Sequence, residues 1–368
     1  MRRAATALAI ALLLPACGGD EETPSSERKG SADSGTTAKI GATCQPTTAL
    51  PEADRETIHA TAQAAFTRLR GGELDMLWSA LHPQARREDQ REAFTTALTS
   101  MQHRLESGSE TAEVTDAYVV DIRGGASALA RVQCGAQGDP GGLTLITNAG
   151  DEDVAMVNLV SSGDPFGFAT TVQLRRHADA WRVLGVHVGL SAYRGRGADD
   201  YERLADAYVK QQRVLEAYLV LTVANQLANR GGSVKLDRAL AIADKLDAVG
   251  NSKEFQQQLG VWEVGGRRYD VQGFSVTSTQ SDLSAVIRYV TPTGLIQEAL
   301  DQEADALLAH LGMQHPEIAK RFDAVVFEAY ESEAAAGDPG GEIQAYRTAR
   351  VFPEPVAEDE PGKTSRPG

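Results

Sequence analysis

The spacing of apolar residues changes once between residues 51 and 190, and that change narrows the folds open to the chain. From Pro51 to Gly71 the apolar stripe is Ile58, Ala62, Phe66 and Leu69, at steps of four and three that a helix aligns on one face. Gly71-Gly72 ends it. A short helix across Leu74, Leu77, Trp78 and Leu81 stops at His82-Pro83. A third, from about Glu88 to Leu105, carries Phe94, Leu98, Met101 and Leu105. The period then becomes two. Val114, Tyr118, Val120 and Ile122 mark a strand, and Ala126, Ala128, Ala130, Val132 and Cys134 form the next alternating face, small enough for a helix to lie close. Leu143 to Thr147, Val154 to Val160, Phe166 to Arg176 and Trp181 to Leu190 follow as strands. Turns at Gly124-Gly125, Asp139-Pro140-Gly141-Gly142, Asn148-Ala149-Gly150-Asp151 and Ala178-Asp179 separate them. Three helices before a run of antiparallel strands give an α+β domain over 51–195.

Arg194 to Asp200 is polar and reads as a boundary. A long helix is expected from Asp200 to about Asn229, with a middle, Val214 to Ala224, that is apolar nearly all round. About 11 residues are too few to cross a bilayer, so this is the central buried helix of a second α+β domain over 199–352. Leu236 to Val249 and Leu295 to Leu311 are further helices. Tyr269 to Ser278 and Leu283 to Val290 form a hairpin around Gln280-Ser281-Asp282. Ala324 to Tyr330 and Ile343 to Val351 are strands joined by the loop Gly337 to Gly341. The order suggests helices packed on one antiparallel sheet. Residues 353–368 form an acidic, Pro-rich tail expected to be disordered, and no repeat relates the halves.

The amino terminus sets the address. Arg2 and Arg3 precede an apolar run from Ala4 to Leu14, then Pro15-Ala16-Cys17. A charged region, a short apolar region and a small-residue cleavage site make residues 1–16 a signal peptide. Leu14-Pro15-Ala16-Cys17 resembles the lipobox of bacterial lipoproteins. The resemblance implies cleavage before Cys17, acylation of its thiol, and attachment to the membrane through the acyl chains. More than one chain is needed for stable anchoring. The residue after the cysteine is Gly18, without the aspartate that retains such proteins at the inner membrane of some bacteria, which favours a periplasm-facing place on the outer membrane. Residues 17–50 then read as the lipidated cysteine and a disordered tether, its Gly18 to Thr43 part rich in Gly, Ser, Thr, Glu and Lys.

Three cysteines are present. With Cys17 lipidated, Cys44 and Cys134 remain as an even pair in an oxidising compartment, and a disulfide between them is expected, two free buried thiols being the alternative. Removing Arg2 and Arg3 takes the formal charge from −15 to −17. Such a surface repels phosphate backbones, so nucleic acid is not a partner, and it repels anionic head groups, so the acyl chains alone touch the membrane.

The stretches AFTRLRGGELDMLWSALHPQAR and DAWRVLGVHV resemble the nuclear-transport-factor-2-like superfamily, whose fold is a helix-lined cone on a strongly bent sheet. Some branches are ketosteroid isomerases and polyketide cyclases. Isomerases place a tyrosine in the first helix and a carboxylate base soon after the second. Here the aromatic residue is Phe66, and carboxylates come only at Glu88 and Asp89, which counts against that chemistry. A pocket in the cone would use Tyr118, Asp116, His187 or Trp181; His187 shares strand parity with Trp181 and Val183, and an imidazole beside a carboxylate is a plausible base. A satisfied core histidine is the plainer reading. His310 and His315, with Glu317 near, are five apart with Pro316 between them, not the spacing of a metal pair on one helix face. No metal set and no cofactor motif is read, and no catalytic residue is assigned. The expectation is a non-enzymatic cell-envelope lipoprotein that binds a small apolar ligand or a protein partner. An enzyme with a polar site inside the cone, and a structural component of an envelope complex, are the alternatives.

Overall fold

The computed structural model describes residues 41–123, 129–135, 142–148, 152–279, 281–332, 336 and 345–352. The signal peptide, Cys17, the tether up to residue 40, the turns at 124–128, 136–141 and 149–151, the loop at 337–344 and the tail lie outside the described residues. The chain falls into two compact units, residues 1–207 with 220–248, and residues 208–219 with 249–368.

In the first unit, strand β1 (Gly41–Pro46) leads into helices α1 (Glu52–Arg70), α2 (Leu74–Ser79) and α3 (Arg91–Leu105). Strands β2 (Glu113–Arg123), β3 (Leu129–Cys134), β4 (Leu143–Asn148), β5 (Val154–Ser161), β6 (Phe166–His177), β7 (Ala180–Tyr193) and β8 (Arg196–Gly197) follow. Six of the strands form a curled antiparallel sheet in the order β1-β2-β5-β6-β7-β8. Helix α1 lies on β5, β6 and β7 and holds α2 and α3 beside it. Its stripe was set by spacing: Ile58, Ala62, Phe66 and Leu69 are buried, as are Leu77, Leu98 and Leu105 on the next two helices. On the opposite face, Val120, Ile122, Val154 and Met156 meet Ala130, Val132, Cys134, Leu143 and Leu145 of β3 and β4. The small-residue face therefore receives strand side chains rather than a helix. The fold class is α+β with a cone-like sheet.

Residues 41–50 do not belong to a disordered tether. β1 pairs with β2 from Gly41 opposite Arg123 to Pro46 opposite Tyr118, and a 3-10 turn follows at Thr47–Ala49. A disulfide joins Cys44 on β1 to Cys134 on β3, with Cα atoms 5.2 Å apart. Pairing with a sheet edge supplies the backbone order that the polar composition of this segment conceals.

The boundary at 195–199 also differs. Helix α4 (Ala198–Lys210) is followed by α5 (Val214–Ala228), strand β9 (Val234–Leu236) and helix α6 (Asp237–Gly250). β9 pairs with β4, and residues 198–207 and 220–248 of this stretch belong to the first unit, while 208–219 belong to the second. Arg238 and Lys245 of α6 pair with Asp199, Glu202 and Asp206 of α4. The long helix expected over 200–229 breaks at Gln211-Gln212-Arg213, where Gln212 takes φ 59°, a left-handed conformation that ends an α-helix. No residue of α5 is exposed, in keeping with its apolar composition.

The second unit contains α7 (Lys253–Gln256), β10 (Gly260–Val264), β11 (Arg267–Ser278), β12 (Leu283–Val290), α8 (Gln297–Gln314), α9 (Pro316–Arg321), β13 (Ala324–Tyr330) and β14 (Tyr346–Arg350). The five strands make one sheet in chain order. It is not wholly antiparallel: β12 and β13 run parallel, because α8 and α9 carry the chain back to the starting end between them. Leu300, Ala304, Leu307 and Leu311 give α8 its buried stripe. Among the described residues no helix is long and apolar enough to cross a membrane.

Candidate functional site

At one end of the curled sheet the chain brings three ionisable side chains together from distant positions. After α2, Leu81 bridges Val183 on the free edge of β7. The His82 N–H donates to the Val183 carbonyl at 2.7 Å, and the Val183 N–H donates to Ala80 at 3.1 Å. His82 is thereby fixed and 6 % exposed. Its Nδ1 accepts the Gln84 N–H at 3.2 Å. The ring proton therefore sits on Nε2 and is donated to Glu152 Oε2, 3.1 Å away. The other carboxylate oxygen of Glu152 lies 3.5 Å from His177 Nδ1 at the end of β6. The two imidazoles meet edge to face with centroids 5.3 Å apart. Among the described residues, this is the one group of three side chains whose potential ligand atoms lie within 4.8 Å of one another.

Burial holds the His82 pKa below its ordinary value, against the opposing pull of Glu152; Arg175 and His177 push the same way as burial. Arg175 is itself buried and donates Nη1 to Gln84 Oε1 at 2.5 Å. The loop that carries His82 is therefore tied to β7 through its backbone and to β6 through the Gln84 side chain.

Beside this cluster, on the helix-covered face of the sheet, lies a cleft of about 180 Å³. Asp54, Asp121, Asp153, Arg176 and Trp181 line it together with Ile58 and Val119. Arg176 lies 3.8 Å from Asp153. The cleft is small and mostly polar, with three carboxylates and one guanidinium in its lining, unlike the cavity of ≈ 300–1,000 Å³ that a drug-sized apolar ligand occupies.

Of the residues singled out in the sequence, Asp116 and Tyr118 lie within reach of each other on β2, but His187 and Trp181 do not join them in one site. Asp116 and His187 sit on one cross-strand ladder, Asp116–Asn158–Thr171–His187, with β5 and β6 between them. Asn158 Oδ1 accepts the Thr171 hydroxyl at 2.8 Å in the middle of that ladder. The charged groups acting on His187 are Arg104, Arg230 and Lys235, and with burial as the leading cause they lower its pKa to about 4. Asp116 instead acts on Arg230 and on Tyr118, whose pKa values burial lowers and raises respectively. An imidazole base beside a carboxylate is therefore not formed at His187. Nor does His187 share a face with Trp181 and Val183. Val183 opposes Leu174 while Gly185 opposes Gln173, so the strand bulges at Leu184, and Trp181 and His187 face opposite sides of the sheet. Trp181 lines the cleft; His187 lies under Gly231, where a Cβ would come within 2.7 Å of its ring.

The second unit has a different cleft, about 470 Å³, lined by Leu308, Ala309, Gly312, Met313, Ala319 and Phe352, with Asp305 the only charged residue in its lining among the described residues. Met313 is 73 % exposed. Its flanking histidines do not pair: His310 packs on Trp262 with ring planes tilted by 48° and centroids 5.3 Å apart, and His315 Nδ1 lies 3.3 Å from Glu216. Glu317 is engaged by Tyr208 and Lys320.

The trio at the sheet end had no sequence signal. His82 and Glu152 are 70 residues apart, so no spacing links them. No family model matches the chain, and no curated protein or solved structure matches it.

Proposed function

We propose that the chain is a lipid-anchored protein of the bacterial cell envelope that binds a small apolar ligand and is not an enzyme. The carrying observation is the second-unit cleft, whose volume suits a small molecule and whose lining is apolar apart from Asp305. Two features of the first unit support the reading. Its helix-covered face is filled by Ile58, Phe66, Leu69, Leu77 and Trp78, and its side cleft is too small and too charged for an apolar ligand. We read this unit as nuclear-transport-factor-2-like, from its helices and bent sheet, serving as a scaffold. The anchor is Cys17, with the outer membrane as its place.

The test is the fluorescence of an apolar probe, N-phenyl-1-naphthylamine, with the detergent-solubilised chain and its Gly312→Leu variant. An ideal Cβ at Gly312 meets only the Phe352 ring at 3.7–3.8 Å, so the longer side chain enters the cleft without a backbone clash. Binding at least ~10-fold weaker in the variant is expected, since filling the cleft removes its apolar contacts. Equal binding by both proteins overturns the ligand reading. Mass spectrometry of the mature terminus tests the anchor, which an unmodified terminus at any residue other than Cys17 removes. A protein partner that docks through the same apolar side chains is the second reading, favoured by the exposure of Met313.

A further inference from the structure

We propose that His82, Glu152 and His177 form a binding site for a divalent transition-metal ion, with Zn²⁺ the best match to the donors. Two imidazole nitrogens and a carboxylate, with a fourth position left open, are a ligand set that zinc takes in proteins. The separations also fit. Donor atoms around a tetrahedral zinc with bonds of about 2.0–2.1 Å lie roughly 3.3–3.4 Å apart; here the two contacts to Glu152 are 3.1 and 3.5 Å. These contacts are to different oxygens of the carboxylate, and one donor atom from each of the three residues lies within 4.8 Å of the others, so side-chain rotation without backbone movement draws the set around one ion.

The ligands are held by the sheet. His82 is pinned to β7 by its own N–H and by the carbonyl of Ala80 two residues before it. His177 ends β6, and the Arg176 N–H on that strand donates to Asp153, next in the chain after Glu152, at 2.9 Å. Fixed elements position a site more accurately than loops do. His177 and Glu152 are partly exposed, at 49 % and 39 % of their side chains, which leaves an ion a way in.

Two features oppose binding and give it a signature. Arg175 brings positive charge near His82. The Gln84 N–H occupies His82 Nδ1, so the ring carries its proton on Nε2. A metal bound at Nε2 takes that position, the proton passes to Nδ1, and Gln84 gives up its acceptor. The ring stays neutral and gains one coordinate bond at Nε2 while its N–H moves from one nitrogen to the other. Forfeiting a hydrogen bond of this kind weakens the site by about 10-fold against a ring whose Nδ1–H has a carbonyl partner.

The experiment is calorimetric titration of the tag-free, detergent-solubilised full chain with ZnCl₂, for the wild type, His177→Ala and Glu152→Gln. Both substitutions fall on exposed side chains, so the buried His82 and the fold stay in place, and thermal melting checks this. One zinc per chain is expected, weakened at least 10-fold by each variant. In a sample ¹⁵N-labelled at histidine, the His82 resonances should convert from the Nε2–H to the Nδ1–H tautomer as zinc is added. Absence of binding, binding of equal strength in all three proteins, or binding that leaves the His82 tautomer unchanged overturns the proposal. The proposal does not depend on the second-unit cleft, so either reading can fail alone.

Discussion

The two units hold a carboxyl group in contrasting ways. In the second unit Glu303 is fully buried. Its oxygens accept from Tyr289 at 3.2 Å, from Thr291 at 3.0 Å and from Thr293 at 2.6 Å. Burial, then Glu303 itself, drives the Tyr289 pKa upward, so that phenol remains a donor. In the first unit Glu152 is partly exposed and shared by two imidazoles. Three neutral hydroxyls, two of them buried, occupy both oxygens of that carboxyl and close the space around it. Two imidazoles at a sheet end leave lone pairs that a ligand can reach. A buried polar group fully matched by neighbours is a packing device, whereas a half-exposed one among titratable rings is open to chemistry.

The largest effect expected of this contrast is at Glu303. Glu303→Ala leaves the buried hydroxyls of Tyr289 and Thr291 and the half-buried hydroxyl of Thr293 without this acceptor, and about 3–5 kcal/mol should be lost. Urea unfolding followed by the fluorescence of Trp262 measures it. A loss below about 1 kcal/mol would erase the distinction between the two carboxyls. Next comes the disulfide. Replacing Cys44 and Cys134 together by serine opens a link that spans 90 residues, and about 2–4 kcal/mol should go. Unchanged urea midpoints would show that β1 holds to β2 without it.

How much of this was legible follows the range of the interaction. Helix stripes such as Ile58, Ala62, Phe66 and Leu69 are local, and periodicity located them within a residue or two of their ends. The Cys44–Cys134 link was within reach by counting thiols. Strand β10 was missed although Gly265-Gly266, with φ 59° and 77°, is a two-residue turn between Val264 and Arg267 that the dipeptide announces. The bulge at Leu184 left no such mark, and one inserted residue was enough to put Trp181 and His187 on different faces. β9 contributes three residues to a sheet whose other strands lie about 90 residues earlier, a pairing that pattern does not encode. The trio at the sheet end has the same difficulty: its members meet only because the edge of β7 is free to receive Leu81 and His82.

His187 sharpens the contrast from another side, because it is a partly buried titratable group of the first unit with no carboxylate acting on it. Its pKa of about 4 lies below the 6.5 of an unfolded histidine. Between these values the unfolded chain binds the proton and the folded chain does not. Stability is therefore whole above pH 6.5 and falls as the pH drops toward 4, by about 2–3 kcal/mol from this group. His187→Gln should flatten that part of the urea-midpoint profile. A profile with the same slope in both proteins would assign the acid lability to other groups, with His82, also lowered by burial, first among them.

The smallest effect is the most discriminating. Glu152→Gln, measured without added metal, removes the carboxylate charge but keeps an acceptor for the His82 Nε2–H. His82 is buried, but it is held as a neutral donor and glutamine still accepts from it, so the change should stay under ~1 kcal/mol. Set beside the loss at Glu303, that number separates a group the fold needs from a group the fold merely carries. Were Glu152→Gln as costly as Glu303→Ala, the sheet end would be a structural knot joining the α2 loop to β5 and β6. A small cost leaves the three side chains without a structural duty, and their convergence then requires a ligand to explain it.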